Sequence, residues 1–215
     1  MRYLVDGVEI RSENAAKPAS QKSAAVDFYL ASLEGRPKLL DFGCGKLRYS
    51  DTLVEVASTV TFVDSFVQLN REQVVRGGKT TVRAFVRSNY SNCQTISSEE
   101  IDNHFEKYDV VTCTNVLSAI PCPATLTQVV GSIRRLLKAG GMAVFVNQHR
   151  SSYFKRYELG ERLLYGYLYE GKRGYSYYGI LGKKNIENLL RENGFYINRS
   201  WCAGETTFTE ASPCR

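Results

Sequence analysis

The sequence predicts an α/β fold, a doubly wound and mostly parallel sheet of seven strands with helices on both faces. Short apolar runs alternate along the chain with stretches of helical periodicity, which is typical of parallel sheets covered by helices. The length of 215 residues fits one domain of this kind. We therefore predict a single domain over residues 1–215, with one insertion at about 150–180.

The predicted strands and helices follow one another in regular order. Five central strands are expected at residues 38–42, 60–63, 82–86, 108–114 and 142–147. Helices are expected at about 20–33, 47–57, 67–76, 98–105, 123–137 and 183–192. Two final strands are expected at 195–201 and 206–209. In such sheets the carboxyl ends of the parallel strands lie at one edge, where ligands bind.

The composition is that of a protein able to bury a sizeable core, since 43% of its residues are hydrophobic. No run approaches the roughly 20 apolar residues of a membrane helix, and the first residues lack the apolar stretch of a signal peptide. The six cysteines form no C-x-x-C pair, and no histidine stands at metal-ligand spacing from them. These features predict a cytoplasmic protein with free thiols, no metal and no membrane segment.

A glycine turn follows the first predicted strand, where residues 39–45 read Leu-Leu-Asp-Phe-Gly-Cys-Gly. Asp64 ends the second predicted strand, 21 positions after Gly43. Glycine at a strand exit lets the backbone approach a ligand closely, because no Cβ stands in the way. An acid at the tip of the neighbouring strand can accept hydrogen bonds from both hydroxyls of a ribose. Together they predict a mononucleotide-binding site.

The glycine spacing distinguishes between nucleotide classes. A dinucleotide site has the pattern G-x-G-x-x-G, in which the third glycine allows tight packing near the pyrophosphate. Arg48 occupies that third position here, and the phosphate-binding pattern G-x-x-x-x-G-K-[ST] is absent. S-adenosylmethionine has no phosphate, so its site needs only the first glycines and the ribose-binding acid. The turn therefore favours S-adenosylmethionine over NAD.

At these positions the chain resembles the class I S-adenosylmethionine-dependent methyltransferases, and the resemblance covers most of the chain. The matching segments are residues 40–45, 108–111, 115–121, 136–141 and 189–195, together with Asp64. Two residues depart from the family pattern: Leu47 replaces a frequent third glycine, and Ala139 replaces the usual proline. The resemblance implies S-adenosyl-L-methionine as the methyl donor and S-adenosyl-L-homocysteine as the product.

The resemblance also implies a set of donor-binding residues. Gly43, Cys44 and Gly45 would line the methionine portion, and Asp64 would hold the ribose. The family often has an acid after its third strand that contacts the adenine, and Asn89 takes that place here. The full predicted set is Asp41, Gly43, Cys44, Gly45, Asp64, Ser65, Asn89 and, near the amino-acid portion, Asn115.

Two residues are predicted to be catalytic, His149 and Tyr178. His149 directly follows the fifth strand, where an imidazole could deprotonate a hydroxyl or an amine; the alternative is a solvated loop histidine. Tyr178 belongs to the insertion, which has eight tyrosines between residues 153 and 178. Alternation at 165–169 and 175–177 predicts a hairpin. That hairpin would cover the methyl acceptor as a lid or simply pack on the domain.

The insertion also concentrates the positive charge of a chain whose formal net charge is +6. Three acids between residues 150 and 184 oppose eight basic residues: Arg150, Lys155, Arg156, Arg162, Lys172, Arg173, Lys183 and Lys184. We expect a small-molecule methyl acceptor, and an anionic one would suit this segment. A nucleic acid is the second class, since interleaved aromatic and basic side chains stack on bases and neutralise phosphates. A third alternative is a non-catalytic subunit, against which the intact glycine turn and Asp64 argue.

The dipeptide Pro121-Cys122 has a counterpart in the nucleophile of cytosine-methylating enzymes. Here Cys122 stands several residues past the end of the predicted fourth strand. The segment therefore favours a loop that begins the next helix over a nucleophile.

Overall fold

The computed structural model describes residues 2–12, 16–149, 152–172 and 174–214. Arg150 and Arg173, two members of the predicted basic segment, lie outside the described residues. The chain divides into two compact units. The turn unit comprises Ala16–Thr112 and Leu136–Gly141, and the hairpin unit comprises Met1–Ala15, Cys113–Arg135 and Met142–Arg215.

The described residues form a mixture of strands and helices. The strands are β1 (Arg2–Val5), β2 (Val8–Arg11), β3 (Lys38–Phe42), β4 (Thr59–Asp64), β5 (Gln73–Val75), β6 (Gly78–Thr80), β7 (Cys93–Ser97), β8 (Tyr108–Thr114), β9 (Leu137–Gln148), β10 (Glu161–Leu163), β11 (Gly166–Gly171), β12 (Gly174–Gly179), β13 (Phe195–Ala203) and β14 (Thr206–Pro213). The α-helices are α1 (Ala24–Ala31), α2 (Ser50–Val56), α3 (Phe66–Asn70), α4 (Val82–Asn89), α5 (Pro123–Leu136) and α6 (Lys183–Glu192). None of the described helices is long and apolar enough to span a bilayer.

Seven strands form the principal sheet, in the order β13-β14-β9-β8-β3-β4-β7. The central pairs β3–β4, β3–β8 and β4–β7 are parallel, and the pairs β13–β14 and β14–β9 are antiparallel. Crossover connections of this kind need intervening helices, which the chain supplies. The predicted α/β fold with a mostly parallel seven-stranded sheet is confirmed.

The predicted third strand at 82–86 is wrong, because these residues form helix α4. The Thr81 side chain caps the helix by accepting a hydrogen bond from the Ala84 N–H at 3.0 Å. Val82 and Val86 are both buried, and their i, i+4 spacing places them on one face of a helix. The third parallel strand is β7, whose mixed polar sequence gave no strand signal.

The predicted helix at 67–76 is also shorter than expected, because α3 ends at Asn70 and a β-hairpin follows. Arg76 and Gly77 form the tip of that hairpin, with φ of 50° and 90°. Two consecutive positive φ angles give the tight turn that matches the twist of paired strands. The segment predicted as a helix at 98–105 has only a 3₁₀ turn at Ile101–Asn103.

The hairpin unit contains a second sheet of five strands in the order β1-β2-β12-β11-β10. The hairpin predicted around residues 165–177 is confirmed as β11 and β12. The sequence analysis did not predict β1 and β2, and β2 pairs with β12 in parallel at Ile10 and Tyr175. Ile10 and Tyr177 of this sheet are buried.

Alanine at Gly166 should destabilise the hairpin unit. An added Cβ would overlap the backbone carbonyl of Tyr178 on the paired strand, so the strands would have to separate. We expect a loss of about 1–3 kcal/mol in the free energy of unfolding, measured by urea denaturation. The control is Gly131→Ala in α5, where no atom lies within 4 Å of the added Cβ. That change should stabilise by about 0.5–1 kcal/mol. Equal effects at the two glycines would contradict the close approach at Gly166.

Candidate functional site

The glycine turn leaves the end of β3 and folds against the end of β4. Gly43 and Gly45 have φ of 81° and 57°, a conformation that L-residues with a Cβ adopt at a cost. The backbone N–H groups of Gly43 and Cys44 both donate to the carbonyl oxygen of Val63, at 2.7 and 2.9 Å. The turn is therefore tied to the strand that ends in Asp64.

The Asp64 carboxylate joins the glycine turn to the start of α3. Its Oδ2 accepts a hydrogen bond from the Gly45 N–H at 2.8 Å, and its Oδ1 accepts one from the Ser65 N–H at 2.8 Å. Burial raises the pKa of Asp64, and these two N–H groups oppose that rise. The structure thus brings together Gly43, Gly45, Asp64 and Ser65, as the sequence predicts.

Asp41 and Cys44 lie beneath the turn as buried groups. The Thr112 hydroxyl donates to Asp41 Oδ1 at 2.8 Å. Desolvation, together with the nearby charge of Asp64, raises the pKa of Asp41 to about 7, against the hydrogen bond from Thr112. Burial also raises the pKa of the Cys44 thiol well above its usual range. Cys44 therefore stays a protonated, unreactive thiol beside the turn.

Gln68 is a residue of this site that the sequence analysis missed. Its side chain is buried, and its Nε2 donates to the Gly45 carbonyl oxygen at 2.6 Å. Gln68 stands four residues after Asp64, one turn into the helix that Ser65 caps. A polar residue at that position, beside Leu69 in the core, is the signal that could have found it.

The placement of Asn89 in the donor site rests on the wrong strand assignment and has to be corrected. Asn89 is the last residue of α4, where it is exposed, and its Nδ2 donates to the Phe85 carbonyl at 2.8 Å. It does not follow a strand. The residues that do follow the third parallel strand are Ser98 and Glu99, and the Glu99 carboxylate accepts a hydrogen bond from the Phe66 N–H at 3.0 Å.

Asn115 of the hairpin unit has a positive φ of 58°. Its backbone N–H donates to Val146 O at 2.7 Å, and its Oδ1 accepts from the Gln148 N–H at 2.9 Å. These two hydrogen bonds tie the residue after β8 to the end of β9. Asparagine is suited to the position because it tolerates the left-handed conformation.

His149 lies just after β9, paired with the end of β14. Its Nδ1 is 2.8 Å from the Thr207 hydroxyl, and its backbone N–H donates to Glu205 O at 3.0 Å. Asn147, which pairs with Thr207 in the sheet, is 1% exposed. Neither polar atom of the Asn147 side chain has a hydrogen-bond partner among the described residues. Buried amide groups usually have partners, so this carboxamide is an exception among the described residues.

Tyr178, the second predicted catalytic residue, belongs to an aromatic cluster on the hairpin. Its ring stacks on Tyr157 with centroids 4.5 Å apart and an angle of 8° between the planes. Tyr169 meets the same Tyr157 ring edge-on, at 4.6 Å and 88°. The Arg156 guanidinium lies over Tyr157 at 4.9 Å. These contacts make Tyr178 part of a packed ring surface, which we call the tyrosine cluster (Tyr157, Tyr169 and Tyr178).

Cys122 immediately precedes α5, and its carbonyl accepts a hydrogen bond from the Leu126 N–H at 3.0 Å. The backbone N–H and hydroxyl of Thr125 lower the pKa of its thiol. Cys122 therefore begins the helix, as the favoured sequence interpretation states. No group of three or more His, Cys, Asp or Glu side chains within the described ranges is placed to hold a metal ion.

A parallel sheet with a glycine turn and a strand-tip acid defines a nucleotide-binding α/β protein of the class I methyltransferase type. A family model described as "Methyltransferase domain" matches residues 13–199. The chain belongs to this family, and its recognition as a class I S-adenosylmethionine-dependent methyltransferase, an enzyme, is confirmed.

The chain is similar to relatives of both known and unknown activity. It is 44% identical to the uncharacterized protein YmfD of Escherichia coli K12, over 100% of this chain and 97% of that protein. It is 30% identical to a ubiquinone biosynthesis O-methyltransferase of Actinobacillus pleuropneumoniae, over 53% of this chain. The chain spans about half the length of that enzyme, 47%.

Solved structures share the fold at low sequence identity. A protein from Pyrococcus horikoshii superposes with a TM-score of 0.64 at 21% identity, over 86% of each chain. A 1,6-didemethyltoxoflavin N1-methyltransferase from Burkholderia thailandensis superposes with a TM-score of 0.62 at 18% identity, over 94% of this chain and 80% of that one. Its structure contains 1,6-didemethyltoxoflavin and S-adenosylhomocysteine.

The buried Asp41 makes the stability of the protein depend on pH. Because its folded-state pKa of about 7 exceeds the ordinary value of 3.8, the protonated carboxyl favours folding at low pH. That contribution is lost as the pH rises from about 4 to 7. Asp41→Asn should therefore match the wild type near pH 4 and exceed its free energy of unfolding at pH 8. The advantage should grow by at most about 1.4 kcal/mol per pH unit.

Urea denaturation of both proteins across this pH range measures the difference. Thr112→Val provides a second variant, because losing the hydroxyl that donates to Asp41 should raise the pKa of Asp41 and move the transition to higher pH. A pH-independent difference between Asp41→Asn and the wild type would contradict the assignment.

Proposed function

We propose that the protein transfers the methyl group of S-adenosylmethionine to a nucleophilic atom of a small-molecule acceptor. The observation that carries the proposal is the Asp64 carboxylate, held at 2.8 Å by the N–H groups of both Gly45 and Ser65. A carboxyl group fixed at a strand tip beside a glycine turn suits the hydroxyls of a ribose. The turn has no phosphate-binding pattern, which favours a nucleoside ligand without phosphate.

The residues present fit such a donor. Asp64 would hold the ribose, and the backbone of Gly43 and Gly45 would lie along the methionine portion, where a Cβ would obstruct the ligand. Phe66 is 57% exposed directly after Ser65, and Glu99 is bonded to its N–H. These two residues, in place of Asn89, are the candidates for contact with the adenine.

The bound donor supplies an electrophilic methyl group on a sulfonium, whose departure leaves a neutral thioether. The protein then has to orient the methyl acceptor and exclude water. A base is needed only where the acceptor atom carries a proton. His149 suits that role, since Thr207 fixes its Nδ1 and a ring held through one nitrogen presents the other in a defined direction.

The tyrosine cluster supports a small, flat methyl acceptor. Tyr169 and Tyr178 of the hairpin stack on or meet edge-on the ring of Tyr157, which lies in the 3₁₀ segment before it, and aromatic rings favour further offset or edge contacts. Tyr178 would then bind the acceptor rather than move a proton. Two of the similar proteins are named for small molecules, ubiquinone biosynthesis and 1,6-didemethyltoxoflavin. We propose the same acceptor class here.

A nucleic acid is the second candidate acceptor. Four basic side chains around the tyrosine cluster are exposed: Lys155, Arg156, Arg162 and Lys172. Each phosphate contact would steepen the dependence of log affinity on log salt by about 0.7–0.9. Filter binding to single-stranded RNA and to duplex DNA at increasing salt measures that slope. Absence of binding at low salt would exclude this candidate and leave the small-molecule acceptor.

Replacing Asp64 should abolish tight donor binding. Asp64→Ala removes the charged partner of two ribose hydroxyls, each hydrogen bond being worth about 1.5–3 kcal/mol. Two such bonds are worth at least about 3 kcal/mol, so calorimetry with S-adenosylhomocysteine should show at least about a 100-fold loss of affinity. Glu55→Gln, an exposed carboxylate on α2 of the same unit, is the control and should bind as the wild type does. Unchanged affinity in Asp64→Ala would refute the role of Asp64.

Changing the tyrosine cluster should impair methyl transfer and spare donor binding. Tyr157→Leu and Tyr178→Leu remove the two stacked rings, whereas Tyr196→Leu changes an exposed ring on β13 (67% exposed). With methyl-labelled donor and a cell extract divided by size, we expect label in the small-molecule fraction. The two cluster variants should transfer it at least about 10-fold more slowly. Label confined to RNA or DNA would overturn the proposed acceptor class, and normal transfer by both variants would show that the cluster has only a structural role.

A further inference from the structure

We infer that Gln68 is a positioning residue of the donor site. Its amide holds the glycine turn in its binding conformation, and the β5–β6 hairpin holds Gln68. The inference rests on the proposed function and names a residue that neither the glycine pattern nor the ribose-binding acid includes. It follows from hydrogen bonds that converge on Gly45, all of them within the turn unit.

Gly45 is held at both of its polar backbone groups. Its N–H donates to Asp64 Oδ2 at 2.8 Å, and its carbonyl accepts from Gln68 Nε2 at 2.6 Å. The residue has a φ of 57°, and glycine is the residue with most freedom to leave that conformation. Two hydrogen bonds, one to a neighbouring strand tip and one from a helix, therefore restrict a glycine of the turn.

Gln68 is itself fixed from two sides. Its backbone N–H donates to the Ser65 hydroxyl at 3.3 Å, the cap of α3. Its backbone carbonyl accepts from Gln73 Nε2 at 3.0 Å, and its own Nε2 lies 3.4 Å from Gln73 Oε1. Gln73 is the first residue of β5, so the hairpin that interrupts the expected helix also braces the side chain that holds Gly45.

The oxygen of the Gln68 side-chain amide indicates why a glutamine is needed at this position. Gln68 Oε1 is buried and has no hydrogen-bond partner within the part of the chain that the structure describes. Leaving such an oxygen unpaired costs stability, whereas an apolar residue of the same shape would avoid the cost. A side chain chosen only to fill the core would therefore be apolar. The N–H groups that Gln68 offers to Gly45 account for an amide at this position.

A turn fixed before the ligand arrives loses less conformational freedom on binding. The resulting gain in affinity should apply to ligands that contact the turn. S-adenosylhomocysteine has the amino-acid portion assigned to the turn, and 5′-methylthioadenosine lacks it while keeping the ribose and adenine. The two ligands therefore separate the effect of Gln68 on the turn from a general loss of structure.

The test is calorimetry of Gln68→Met, a change of similar shape that removes the amide. We expect S-adenosylhomocysteine to bind about 10-fold more weakly, the effect of one lost hydrogen bond, and 5′-methylthioadenosine to lose less than about 3-fold. In the ligand-free protein, hydrogen exchange at the Gly45 amide should become faster. The control is Asn70→Leu on the same helix, whose side-chain amide donates to Phe66 O at 2.8 Å. It should leave both affinities and the Gly45 amide unchanged.

Two further variants test the mechanism. Gln73→Met should also weaken the binding of S-adenosylhomocysteine more than that of 5′-methylthioadenosine, but only by about 3-fold, because the hairpin acts through Gln68. Gln68→Glu places a carboxylate against the Gly45 carbonyl, so it should bind S-adenosylhomocysteine worst at neutral pH and recover as acid protonates it to an O–H donor. A loss of packing alone would produce neither the recovery of Gln68→Glu in acid nor the difference between the two ligands.

The outcomes are separable. Wild-type protein that binds neither ligand would refute the proposed function. Wild-type protein that binds both, with Gln68→Met weakening the two ligands equally or not at all, would overturn the inference about Gln68 and leave the proposed function in place.

Discussion

The hydrogen bond between the Gly45 N–H and the Asp64 carboxylate, 2.8 Å long, is the interaction on which the candidate site depends. It joins the exit of one parallel strand to the tip of the next. A carboxylate taken out of water needs such partners, because desolvation penalises its charged form. The bond therefore makes the glycine turn and the acid a single unit. The other contacts of the site, from Ser65 and Gln68, extend this unit into α3.

Two carboxyl groups at this turn differ in their hydrogen-bond partners, and burial raises the pKa of both. Asp64 receives two backbone N–H groups, which stabilise its charge. Asp41 receives the Thr112 hydroxyl but remains desolvated, and its pKa is raised to about 7. The charge of Asp64 adds to that rise. Asp64 thus has two backbone N–H donors, whereas the charge of Asp41 responds to pH near neutrality.

Local signals predicted the parallel strands that contain clustered apolar residues, such as β3 and β8. The strands Lys38–Phe42 and Tyr108–Thr114 were predicted with their observed bounds, whereas the strand predicted at 142–147 begins five residues earlier, at Leu137. The same reasoning failed at Val82 and Val86, whose spacing fits a helix face, and at the polar strand Cys93–Ser97. Asn89 was misplaced for this reason alone. Because one strand was wrongly assigned, the predicted adenine contact was a residue at an exposed helix end and not one at a strand end.

The sequence by itself determined the class of fold, the glycine turn and the acid at the neighbouring strand tip, because strand, turn and spacing are encoded in short segments. Only the tertiary structure decided which side chains support that motif. Gln68 is recognised by its bond to Gly45, 23 residues away, and Tyr178 by its stacking on Tyr157. The pairing of β2 with β12 joins residues more than 160 positions apart in sequence, Ile10 and Tyr175. Such contacts follow from the packing of distant elements, and local propensity has no information about them.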